Sequence, residues 1–170
     1  MACREIPLEF ARLRDAEAVA LLSRDLIETG LRWSYRPERI AQMIADRETV
    51  ALVARDAAPV AGFAIMAFGD ERAHLALMAV RPSHQRRGIA RRMLGWLLES
   101  AEVAGMASIH VELRADNSAA YALYDAMGFV ETLRERGYYQ GRETAVRMMR
   151  LLRAPGVTVK TWQPPTLDRL

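Results

Sequence analysis

Residues Gln85-Arg86-Arg87-Gly88-Ile89-Ala90 set a glycine between an apolar stretch and an amphipathic one. Gly88 permits a backbone turn that a side chain would obstruct. Where such a turn enters a helix, free N–H groups and the helix N-terminus converge on one point. That is an anion site, and phosphate is its usual occupant. Arg86, Arg87, Arg91 and Arg92 crowd the same helix start. The helix dipole disfavours positive charge there, so the cluster is frustrated unless an anion resolves it. A compositional explanation competes. Of 24 basic residues only Lys160 is lysine, so an arginine-rich surface helix needs no ligand to account for it.

The glycine spacing is neither a Walker loop nor a dinucleotide fingerprint. Gln85-x-x-Gly88-x-Ala90 resembles the acyl-CoA pyrophosphate loop of the GNAT N-acetyltransferases, Gln/Arg-x-x-Gly-x-Gly/Ala, with Ala90 where Gly is more usual. A second stretch downstream is similar to that family's second signature, Asn-x-x-Ala-x-x-x-Tyr-x-x-x-Gly-Phe. Its counterparts here are Asn117, Ala120, Tyr124, Gly128 and Phe129. With Glu112 and the Tyr138-Tyr139 pair, the likeness points to bacterial ribosomal-protein N-terminal (alanine) acetyltransferases.

Moving an acetyl group from a thioester to an amine needs a deprotonated amine, a stabilised oxyanion and a protonated leaving thiolate. An α-amine has a pKa of about 8 and a lysine about 10.4. A carboxylate can take the proton through water. The resemblance puts Glu112 in the base position. His110, on the same strand face and with an ordinary pKa close to 7, is the rival base. Glu112 could equally just pair with an arginine on that face. The resemblance makes Tyr124 the acid that donates to the thiolate; otherwise it is a helix aromatic packed beside Phe129. The oxyanion donor is expected to be the backbone N–H of Val80, where the strand should bulge and splay from its neighbour. Met78, Ala79 and Val80 would then offer backbone groups to the pantetheine amides. Asn117 can cap a helix and touch the cofactor as well. The acetyl-CoA set implied by resemblance is therefore Met78, Ala79, Val80, Gln85, Arg86, Arg87, Gly88, Ile89, Ala90, Arg91, Asn117 and Tyr124, with no metal. Tyr138 and Tyr139 would grip a peptide's first residues. Trp33 and Tyr35 could line the acceptor groove or plug the gap between two helices.

The elements that must position these residues can be read in order. Ile6 to Leu13 reads as a strand. Asp15 can cap a helix carrying Val19, Leu22 and Leu26, ended by Gly30. Pro37 opens a second helix with Ile40, Met43 and Ile44 inward. Thr49 to Arg55, Val60 to Phe68 and Arg72 to Val80 form an antiparallel meander, with turns at Asp56 to Pro59 and Gly69-Asp70. Val60 to Phe68 is apolar enough to be covered on both faces. Ile89, Met93, Leu97 and Ala101 share a helix face, and Gly105 ends that helix. Ser108 to Arg114 follows as a strand with His110, Glu112 and Arg114 on one face. Asn117 caps a helix over Ser118 to Met127. Phe129 to Arg136 and Thr144 to Leu152 are two more strands, with Tyr138-Tyr139-Gln140-Gly141 in their connection. The expected fold is α/β (α+β), the GNAT fold. It has a mixed, mostly antiparallel sheet of about seven strands, splayed between strands 4 and 5, with helices on both faces.

At 170 residues the chain suits one domain, residues 1–152, with a tail at 153–170. Val157, Val159 and Trp162 give the tail an apolar content that disordered segments seldom keep. It is expected to dock, either near Trp33, Tyr35 and Tyr138 or along a sheet edge. A net charge of +3 suits anionic ligands and is too mild for nucleic-acid binding. The lone Cys3 cannot close an internal disulfide, and no apolar stretch approaches the roughly 20 residues of a membrane span. With no signal peptide visible, the reading is a cytoplasmic enzyme. Its partners would be acetyl-CoA and an amine, possibly a protein N-terminus, with no membrane or nucleic acid, as a monomer or homodimer. The rival readings are a small-amine acetyltransferase (polyamine, amino acid or antibiotic) and a non-catalytic acyl-CoA-binding module.

Overall fold

The computed structural model of the chain describes residues 5–56, 60–139 and 141–153. Cys3, the end of the Asp56 to Pro59 turn, Gln140 and the docking of the tail lie outside them. Seven strands form one sheet: β1 (Leu8–Phe10), β2 (Thr49–Arg55), β3 (Val60–Phe68), β4 (Arg72–Val80), β5 (Ser108–Arg114), β6 (Val130–Tyr139) and β7 (Glu143–Leu151). Their order is β1-β2-β3-β4-β5-β7-β6. Each neighbouring pair is antiparallel except β4–β5. That parallel pair requires a long crossover, supplied by helix α3 (Ile89–Val103). The splayed, mixed, seven-stranded sheet expected from sequence is therefore the observed one.

Helices cover both faces and divide the core in two. On one face Met93, Leu94 and Leu97 of α3 pack with Leu75, Ile109 and Val111, joined by Tyr124 of α4 (Ser118–Ala126) and by Phe129. On the other, Val19 and Leu22 of α1 (Ala16–Leu26) and Ile40 of α2 (Pro37–Ala45) pack with Val53, Phe63, Ile65 and Leu77. β3 is buried along most of its length, as its unbroken apolar run requires. Phe63 and Phe129 are fully buried; truncating either to alanine would cost on the order of 3–5 kcal/mol. No helix among the described residues is long and apolar enough to cross a membrane.

Two boundaries differ from the sequence reading. β1 is shorter than Ile6 to Leu13, because Leu13–Asp15 forms a single 3-10 turn. The Asp15 carboxylate accepts the Arg12 N–H at 2.8 Å, which closes that turn. Asp15 thus sits at the N-cap of α1 without capping it through its side chain. At the other end of the chain, Tyr138 and Tyr139 belong to β6 and not to its connection. Gly137 takes a left-handed φ of 70°, and the β6–β7 register shifts between Glu135 and Tyr139. The irregularity is absorbed inside the strand, as in a β-bulge, and pairing resumes at Tyr139↔Glu143.

Candidate active site

β4 and β5 are paired only from Arg72↔Ser108 to Leu75↔Val111. Beyond that they no longer pair with each other, β4 running to Val80 against β3 and β5 to Arg114 against β7, so a wedge opens in the middle of the sheet. Its cause lies at Ala76. Met66 of β3 faces Leu75, while the preceding Ile65 faces Leu77, leaving Ala76 as an extra residue. The bulge is therefore at Ala76 and not at Val80. One added residue bends and twists a strand, which carries β4 away from β5. It also resets the alternation: Leu75 packs in the core on the α3 face, and both Ala76 and Leu77 turn to the α1 face.

The bulge decides which backbone groups face the wedge. Arg81 N–H donates to the Ala61 carbonyl at 2.8 Å. Alternation along an antiparallel pair then directs Leu77 and Ala79 to β3 and turns Met78 and Val80 toward the gap. The Val80 carbonyl is taken by Gln85 Nε2 at 3.0 Å, which ties the following loop to the strand end. The Val80 N–H thus faces the wedge, and the bulge that aims it lies four residues earlier, at Ala76.

That loop holds two left-handed residues, Arg86 at φ 61° and Gly88 at φ 74°. Glycine takes this conformation freely, whereas arginine pays for it, and such outliers gather at ligand sites. A Cβ at Gly88 would find no neighbouring atom within 4 Å, so the space beside its backbone is open. The first bond inside α3 runs from Arg92 N–H to the Gly88 carbonyl at 3.0 Å, leaving the N–H groups of Ile89, Ala90 and Arg91 without helical acceptors. Arg86 and Arg91 are exposed. Arg92 turns away, to Glu5 at 3.0 Å and the Ile6 carbonyl at 2.8 Å. Arg87 approaches Asp56 at 3.9 Å, and the same carboxylate meets His84 at 3.1 Å. The frustrated cluster is thus smaller than four arginines.

A cleft of about 1100 Å³ runs through the wedge, with walls from both faces of the sheet. Met78, Asn117, Ala120 and Tyr124 line one end; His74, His110, Glu112 and Arg147 line the floor toward α1. Glu112 stands opposite Arg147 of β7, with Oε2 and Nε 3.1 Å apart. Tyr124 is 5% exposed, and desolvation pushes its phenol well above the ordinary range. Its ring lies 5.5 Å from Phe129. Asn117 caps α4, its Oδ1 accepting Ala120 N–H at 3.1 Å. The loop from Gln85 to Arg91, and Ala79 and Val80, do not line this cleft.

The aromatic residues separate. Tyr35 and Tyr138 line the cleft, and Trp33 does not. Trp33 packs against the α1–α2 core, donates to the Tyr35 carbonyl at 3.0 Å and has Arg24 and Arg36 each 5.5 Å from its ring. It plugs the gap between the helices. Tyr139 is placed by its backbone alone, opposite Glu143.

The sequence reading passed over Glu28 and His74. Glu28 is buried and accepts from Ser34 N–H at 2.6 Å, Tyr35 N–H at 3.3 Å and Ser23 Oγ at 3.2 Å. Arg114 completes the clamp, donating to the carbonyls of Ile27 and Thr29 at 3.0 and 2.7 Å. A buried glutamate is rare enough to flag once burial is known. Nothing in Leu26-Ile27-Glu28-Thr29 announces that burial.

Compared with known protein families, residues 20–151 match the acetyltransferase (GNAT) domain. The chain belongs to the GNAT acetyltransferase family. Among characterised GNAT proteins it is 42% identical over 91 residues to the [ribosomal protein bS18]-alanine N-acetyltransferase of Escherichia coli K12. That match spans 52% of this chain and 62% of the relative, less than two thirds of its length. The crystal structure of the Escherichia coli ribosomal-protein-S18-alanine N-acetyltransferase superposes with a TM-score of 0.77 at 28% identity, over 92% of this GNAT chain and all of that one. A Salmonella typhimurium structure described as a putative acetyltransferase with acetyl-CoA shares the fold, with a TM-score of 0.76 at 20% identity over 92% of this chain and 99% of that one.

Proposed function

We propose that this GNAT protein transfers the acetyl group of acetyl-CoA to a primary amine, the α-amine of a protein N-terminus. The observation that carries the reading is the wedge itself. It opens the sheet from face to face, so a thioester entering from one side and an amine from the other can meet inside it. Met78 and Val80 turn backbone groups toward that gap, where an extended amide-bearing chain could pair as an extra strand. The loop after β4 suits a diphosphate through its left-handed residues, the N–H groups of Ile89 to Arg91 and the exposed Arg86 and Arg91.

In this reading Glu112 starts removal of the ammonium proton, Val80 N–H faces the developing oxyanion, and Tyr124 donates to the departing sulfur. Burial keeps the phenol protonated through the physiological range, so it is always loaded as a donor. The likeness to enzymes named for acetylating an N-terminal alanine favours a protein acceptor. Tyr138, Tyr35 and the clamped α1–α2 loop offer walls for a short extended peptide. Ribosomal proteins are made in the cytoplasm, which is the setting proposed. The test is thiol release from acetyl-CoA across a panel of N-terminal peptides, polyamines and amino acids. Turnover with alanine-initiated peptides and none with small amines is expected. Turnover with small amines alone would overturn the acceptor assignment.

A further inference from the structure

His74 and His110 face each other across the second-to-last rung of the parallel β4–β5 pairing. Their neighbours Ala73, Leu75, Ile109 and Val111 are in the core on the α3 face, so both imidazoles stand on the α1 face of the sheet. Glu112 is one side-chain step further along β5 on the same face. All three line the cleft where the strands part. They differ in what holds them. His110 Nε2 is 2.9 Å from Ser108 Oγ. Glu112 is fixed by Arg147. His74 has no hydrogen bond from another described residue, and its ring is open to the cleft.

Every turnover of an acetyltransferase leaves one proton to dispose of. A protonated amine gives up two as its N–C bond forms and the C–S bond breaks. One ends on the thiol, and the other must reach solvent. We propose that His74 relays the acceptor's proton from Glu112 to solvent; this rests on the acetyltransferase reading above. An imidazole suits the task because it takes and yields a proton near neutral pH.

The surroundings keep His74 ready to accept. Desolvation by the protein around it lowers its pKa below the ordinary 6.5, and the Glu112 carboxylate opposes that only in part. Arg72 lies two residues away on the same face of β4, and His110 directly opposite on β5. Arg147 approaches from β7 through Glu112, and Glu28 and Arg32 belong to the cleft wall after α1. On β3 the residue facing His74 is the uncharged Ala67. His74 is thus neutral at pH 7 and becomes cationic in the pH region below 6.5.

The experiment is the pH profile of kcat for wild type, His74→Gln and Glu112→Gln, in weak buffer and with added imidazole. Wild-type kcat should fall on the acid side as His74 becomes charged. His74→Gln should lose that limb, run slower by on the order of 10²-fold, regain rate with imidazole and keep its KM for acetyl-CoA. A His74→Gln profile that superposes on wild type overturns the relay. So does a uniform loss that imidazole does not restore, since that marks a merely structural role. Glu112→Gln reads the underlying assignment separately. If it is slow while His74→Gln is normal, the relay alone fails. If Glu112→Gln turns over like wild type, the proton path through Glu112 fails with it.

Discussion

The ring of Tyr124 lies 5.5 Å from that of Phe129, tilted by 57°, with the first in the last turn of α4 and the second just past its end. Phe129 N–H donates to the Tyr124 carbonyl at 3.0 Å, so backbone and rings together fix the tyrosine's direction. Of the two roles weighed from sequence, the packing one is observed: the ring belongs to the core, and the same residue also lines the cleft. Tyr124→Phe separates them, because it keeps the ring and removes only the hydroxyl. Thermal stability should hold and kcat should fall by about 10²–10⁴-fold, with acetyl-CoA affinity unchanged. Wild-type turnover in that variant would leave Tyr124 with packing alone.

Gly88→Val addresses the anion loop. A Cβ added there meets no neighbouring protein atom, so the fold should survive. The left-handed φ of 74° is costly for valine, by roughly 1–2 kcal/mol, and the branched group would fill the space beside the free N–H groups. Calorimetric titration with coenzyme A should show binding lost, while the melting temperature drops only modestly. Undiminished affinity would remove the loop from the binding site.

Much of this architecture is legible in the chain because its periodicities are unambiguous. The alternation of Ser108 to Arg114 and the helical spacing of Ile89, Met93, Leu97 and Ala101 each match the observed element. The wedge is less legible. Leu75-Ala-Leu-Met-Ala-Val80 is uniformly apolar, so nothing marks Ala76 as the extra residue; only its pairing with β3 does. Arg147 as the partner of Glu112 depends on the register of strands more than 30 residues apart. The left-handed Arg86 carries no signal at all, since arginine is an unusual choice there. Tyr138, expected in the connection, lies in β6 instead, because the strand takes up Gly137 as an irregularity.

Asp15 offers a test of the scaffold by pH. Its Oδ1 lies 2.9 Å from Arg55 Nη2, and its Oδ2 accepts Arg12 N–H at 2.8 Å. Burial works against the charge, but the backbone donor and Arg55 outweigh it and hold the carboxyl below its ordinary value of 3.8. A depressed folded-state pKa adds stability that is complete above the unfolded value and is lost as pH falls through the folded one. Asp15→Asn should therefore lower stability at pH 7, by roughly 1–3 kcal/mol, and narrow the gap to wild type below about pH 4. Urea melts at pH 7 and pH 3 measure both. A constant gap at the two pH values would show that the ion pair does not act through titration.

Glu28 is where the scaffold meets the cleft proposed to take the acceptor. Its carboxylate gathers the N–H groups of Ser34 and Tyr35, while Arg114 holds the carbonyls of Ile27 and Thr29 and pairs with Glu143 at 3.0 Å. The α1–α2 loop is thus fastened from both sides, and Tyr35, whose ring has Arg39 4.3 Å away, is presented to the cleft by that fastening. Glu28→Gln preserves size and replaces one acceptor oxygen with an NH2 group. An amide donor set against backbone N–H groups leaves at least one of them unpaired, at a cost of about 1–3 kcal/mol. The loop should loosen, and KM for the acceptor peptide should rise several-fold, while KM for acetyl-CoA stays constant because the loop proposed to bind it lies after β4. A variant that loses stability while both KM values stay at wild type would show that the loop forms no part of the acceptor site. Equal rises in both would mean that the wedge as a whole had shifted.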